Sequence, residues 1–79
     1  MQIERIVWES IEEINRNHQR AATYNDVVNH IFTKFGNKWG VQTISRTIRH
    51  LAESGQIFRF NRPEIQKRAT WVARGVTNE

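Results

Sequence analysis

The stretch from Trp39 to Gly55, WGVQTISRTIRHLAESG, decides how this chain reads. At about 100° per residue, Val41, Ile44, Ile48, Leu51 and Ala52 collect on one face of a helix, and Gln42, Arg46 and Arg49 gather on the other. Glu53 belongs to the segment, but the turns before it expose basic and amide groups with no carboxylate among them. An ordinary solvated face mixes both signs of charge. The sorting predicts a helix held by its apolar side, with its basic side free to meet a ligand.

Upstream, Ile3, Ile6, Val7, Ile11 and Ile14 recur at helical spacing with no Gly or Pro between them, which predicts a first helix. Trp8 falls at the edge of that stripe, as a side chain lapping over the core rim or as a contact between two copies. Asn15 to Ala22 is polar and predicts the turn that follows. Thr23 and Asp26, three apart, have the form of a capping box at the start of a second helix. Along that helix Tyr24, Val27, Val28, Ile31, Phe32 and Phe35 share a face, and Gly36 suits the left-handed residue that ends it. Either Asn37 or Gly40 caps the third helix.

Past Gly55 the sequence changes to QIFRFN and, after RPEIQKR, to ATWVAR, two short runs rich in aromatic and β-branched residues. Pro63 cannot donate to a strand ladder, so the segment between them reads as a basic loop joining a two-stranded hairpin. Alternation sets Phe58 and Phe60 on one side and Ile57 and Arg59 on the other, so one of these pairs is partly exposed. Ile57 is expected to be buried, and Trp71 to belong to the core or to pack beneath the hairpin. Residues 1–75 read as one domain, and 76–79 as a flexible tail.

The whole chain has 79 residues, close to the lower limit for a core that folds without staples. It contains no cysteine, which excludes disulfides and thiolate metal sites and suits a reducing cytoplasm. No apolar run approaches a membrane span, and the N-terminus does not resemble a signal peptide. The net charge of +4 is unevenly placed. Residues 1–20 hold Glu4, Glu9, Glu12 and Glu13 against Arg5, Arg16 and Arg20, whereas Lys34 to Arg74 holds nine basic residues and two acids, Glu53 and Glu64. Such asymmetry points to a polyanionic partner.

Three helices followed by a basic hairpin, with the junction I44-x3-I48-x2-L51-x3-G55-x-I57, resemble the winged helix-turn-helix family of DNA-binding domains over roughly Ile3 to Arg74. The resemblance implies an α+β fold, a three-helix helix-turn-helix core followed by a two-stranded β-hairpin wing. It also implies that the third helix, Gln42 to His50, enters the major groove, while the wing, Arg59 to Arg68, follows the backbone or the minor groove. The chain departs from the family where the third helix begins: Asn37-Lys38-Trp39-Gly40 stands where Ser, Thr or Pro is common. A branch that binds left-handed duplexes uses a Tyr on this helix, and none is present here.

The chemistry of the basic face fits that reading. Guanine offers two acceptors to an arginine fork, and adenine an acceptor and a donor to a Gln amide. Gln42, Thr43, Arg46 and Arg49 are therefore the expected base contacts. Thr43 and His50 flank the Gln and Arg side chains and Ser45 lies nearer the apolar edge; Ser45 and His50, with Lys34, Lys38, Arg59, Arg62, Lys67 and Arg68, are the expected backbone or wing contacts. Enzyme readings find little support. His18, His30 and His50 lack metal-ligand spacing, Gly36 and Gly40 lack a phosphate-loop context, and Glu12 and Glu13 point apart on an exposed helix. Neither a metal nor a cofactor is expected.

The function expected is sequence-specific binding of double-stranded DNA by a small cytoplasmic transcriptional regulator of bacterial, phage or plasmid type. It would act as a monomer or as a homodimer paired through the first helix near Trp8. Two other readings compete with it. One is a winged-helix protein-interaction module, such as an inhibitor or adaptor. The other is a low-specificity DNA-binding accessory of replication, recombination or packaging.

Overall fold

A computed structural model describes residues 2–59 and 70–73. Phe60, the loop with Arg62, Pro63, Lys67 and Arg68, and the tail at 76–79 lie outside the described residues. The order is α1 (Gln2–His18), β1 (Ala22–Thr23), α2 (Tyr24–Phe35), α3 (Val41–Glu53), β2 (Ile57–Arg59) and β3 (Thr70–Ala73). The architecture is α+β and compatible with a helix-turn-helix followed by a wing.

The sheet has three strands, where the sequence suggests two. All pairings are antiparallel in the order β1-β3-β2, with Ala22 opposite Trp71, Thr23 opposite Thr70, and Ile57, Phe58 and Arg59 opposite Ala73, Val72 and Trp71. The added strand is Ala22–Thr23, which the sequence places at the end of a turn. Two residues are too few to display a period of two, so only the long-range pairing reveals it. Ala22 is fully buried there.

The core takes Ile3, Val7, Ile11 and Ile14 from α1, Val27, Val28 and Ile31 from α2, and Ile44, Ile48 and Leu51 from α3. Ile57 and Ala73 close it from the sheet. Trp8 packs half-buried against this cluster, and its Nε1–H donates to the Gln56 carbonyl at 3.1 Å, so the rim position holds.

Three side chains depart from the apolar faces read in the sequence. Phe32 and Phe35 are 37% and 43% exposed, because the last turns of α2 run past the core; Val41, in the first turn of α3, is 45% exposed for the same reason at the other end of the corner. Thr47 is buried instead, its Oγ1–H donating to the Thr43 carbonyl one turn back at 2.8 Å. That local bond lets a hydroxyl enter the core satisfied.

Helix ends follow their chemistry. Thr23 and Asp26 make both bonds of the capping box, each at 3.0 Å. At the far end of α2, Gly36 has φ +70° and ψ −154°, positive φ but extended rather than left-handed helical. After α3, Gly55 has φ +82°, and two bonds, Gly55 N–H to Ala52 and Gln56 N–H to Leu51, close a Schellman turn that aims Ile57 back into the core. α1 continues to His18, beyond its expected end near Asn15. The Asn15 amide then crosses to the sheet: Nδ2 donates to the Arg20 and Trp71 carbonyls, and Oδ1 accepts from Ala73 N–H at 2.9 Å.

Candidate nucleic-acid interface

The buried residues of α3, Ile44, Thr47, Ile48 and Leu51, set the helix's roll. A helix fixed along that stripe must turn Gln42, Arg46 and Arg49 outward, and all three are exposed, as is Thr43 on the flank. Glu53 shares the outward face one turn beyond Arg49. The amide and guanidinium groups thus run from the first turn of α3 as far as Arg49, and the carboxylate lies in its last turn.

The helix start expected at Asn37 or Gly40 falls at Gly40, which offers no side-chain cap. The first-turn N–H groups are therefore left to solvent or a ligand, at the positive end of the helix dipole. Tyr24, at the head of α2, donates its hydroxyl to the Val41 carbonyl at 2.9 Å and ties the two helix starts together. In the sequence Tyr24 shows only as a member of the apolar face of the second helix. An aromatic side chain with one polar atom at a helix start is the signal that was available. In the corner between the helices, Trp39 meets Phe35 edge-on at 5.8 Å, and the Lys38 ammonium lies 5.2 Å from the Trp39 ring centre.

Strand β3 and helix α3 are brought side by side. Trp71 packs half-buried against the core, and with Tyr24, Ser45, Ile48, Arg49, Ala52 and Glu53 it lines a groove of about 410 Å³ between β3 and α3. Arg59 is exposed on β2, opposite Trp71 in register. Phe58 is exposed on the other side of the strand, paired with Val72, and Ile57 is buried; Phe60 lies outside the described residues. The remaining wing candidates, Arg62, Lys67 and Arg68, lie outside the described residues.

The basic side chains differ sharply in what holds them. Arg5 pairs with Glu9, Arg16 with Glu12, and Arg20 with Asp26. Two of the expected backbone contacts are also engaged: Lys34 Nζ sits 3.1 Å from Glu13, and His50 Nε2 sits 3.3 Å from Glu4. Glu13 additionally meets His30 at 3.2 Å. The Lys34 hydrogen bond, against some burial and with added attraction from Lys34 and His30, holds the Glu13 carboxyl below its ordinary range. Among the described residues, Lys38, Arg46, Arg49 and Arg59 join no ion pair. Charge on α1 and α2 is largely neutralised within the fold, whereas charge on α3 and β2 is not.

The chain matches no family model, no curated protein sequence and no solved structure significantly. Among the described residues no helix is long and apolar enough to cross a membrane.

Proposed function

We propose that this protein is a sequence-specific double-stranded DNA-binding module of winged helix-turn-helix type, a small transcriptional regulator of the kind found in bacteria, phages and plasmids. The observation that carries this reading is the selective lack of charge compensation. Arg46 and Arg49, beside Gln42, project from a rigidly packed helix with no carboxylate drawn to them, while Arg5, Arg16, Arg20 and Lys34 are each paired with a carboxylate. Gln42, Arg46 and Arg49 read base edges in the major groove, with Thr43 at the flank. Lys38 and Arg59 contact phosphates, and the basic loop between β2 and β3 extends that contact. Lys34 and His50 are secondary, since α1 carboxylates already hold them. Such a module acts on transcription by occupying its site. Two copies joined through the outer side of α1 near Trp8 would add affinity on a palindromic site.

A second reading has its own observation. The exposed Phe35, edge-on to Trp39, and the exposed Phe32 one turn before it on α2 give an aromatic surface that favours a protein partner. Selection from a random duplex pool separates the possibilities. A sharp motif, lost with Arg46→Ala and Arg49→Ala, is the expected outcome. A retained but flat pool marks a low-specificity accessory, and no retention of any duplex leaves the protein-interaction module.

A further inference from the structure

Val41 is an apolar side chain standing 45% exposed in the first turn of α3, at the edge of the apolar face, directly before Gln42 and one turn before Ser45. The core does not use it. Its backbone is nonetheless fixed: the Val41 carbonyl accepts the Tyr24 hydroxyl, and the Gly40 carbonyl begins the helix by accepting Ile44 N–H at 3.1 Å. A β-branched residue in a helix also has essentially one side-chain rotamer, so its two methyl groups are presented in a fixed direction with little entropy left to lose.

Resting on the DNA-binding reading above, we infer that Val41 is a specificity-determining residue that recognises the 5-methyl group of a thymine. Base-pair edges in the major groove display hydrogen-bond donors and acceptors and a single apolar group, the thymine methyl. An exposed apolar side chain at the head of α3, one turn before Ser45, therefore has one complementary target in that groove. Val41 leads α3 into that groove, and the methyl group it meets flanks the bases that Gln42 and Arg46 read.

Replacing thymine by deoxyuridine removes only that methyl group. In the duplex recovered from the pool selection, each thymine is replaced in turn and affinity is measured for the wild-type chain and for Val41→Ala. This exposed substitution favours the helix by propensity and keeps the core intact. For the wild type, one thymine position is expected to lose about fourfold in affinity, the worth of burying one methyl group. In Val41→Ala that position becomes insensitive, while the guanine and adenine preferences persist. A sharp motif in which every thymine tolerates deoxyuridine overturns the role of Val41 and leaves the DNA-binding reading standing, as does a methyl sensitivity that survives Val41→Ala. Failure of the wild type to retain any duplex overturns both.

Discussion

Asp26 makes the most connected polar contacts on α2. Its carboxylate closes the capping box on Thr23 N–H and also receives the Arg20 guanidinium. The Arg20 hydrogen bond, helped by the bonds from Thr23 and opposed by burial, holds its pKa below the ordinary Asp value. A carboxyl whose folded pKa is depressed contributes stability that is fully present above the unfolded value and is lost as pH falls through the folded one. Wild type should therefore melt higher than Asp26→Asn at pH 7, and the gap should close as pH drops below about 4, where an unfolded Asp begins to take up its proton. Melting temperatures of the two proteins across pH 2 to 7 check this; a gap that widens in acid would sink it. The Thr23–Asp26 spacing was legible in the sequence because a capping box is local. Arg20 as a third member was not, since nothing in the spacing says that the chain doubles back there. Val41, Phe32 and Phe35 were misplaced for a related reason: periodicity assigns a face but does not say where along the helix the core stops.

α3 was read nearly whole, because one element fixed by Ile44, Ile48 and Leu51 carries both its burial and its display in a single period. Gly55 and Ile57 were legible too, as a glycine stop and an immediate strand. β1 was not, and neither was the device that holds β3 against α1. Asn15 looked like the beginning of a turn; in the fold its amide bonds the Trp71 carbonyl and Ala73 N–H, and Ala73 is almost wholly buried. Asn15→Ala leaves that N–H without its acceptor, at a cost of about 1–3 kcal/mol. Because the amide joins α1 to the strand that flanks α3, the damage should concentrate in the sheet. Hydrogen exchange at Ala73 N–H should quicken more than at the Ile44 and Ile48 amides of α3. Uniform acceleration throughout, or no loss in melting temperature, would contradict this role for Asn15.

At the scale of the whole molecule, the charge asymmetry was plain in the sequence, but which cations were spent internally was not. Lys34 and Lys38 are four residues apart and looked equivalent; α1 brings Glu13 to one, and the other rests over Trp39. If DNA is the partner, this difference has a measurable form. Each phosphate neutralised releases condensed counterions, so log affinity falls with log salt at a slope of about −0.9 per contact. With Lys38, Arg59 and the basic loop supplying about five contacts, the wild-type slope should lie near −4 to −5. Lys38→Ala should make it shallower by about 1. Lys34→Ala should leave it almost unchanged, because Lys34 already has an anion and gains little by exchanging it for a phosphate. Anisotropy titrations of one labelled duplex between 50 and 200 mM salt would measure all three slopes. Equal changes for the two lysines would mean that DNA pulls Lys34 away from Glu13, and a wild-type slope near zero would remove the polyanion from the account altogether.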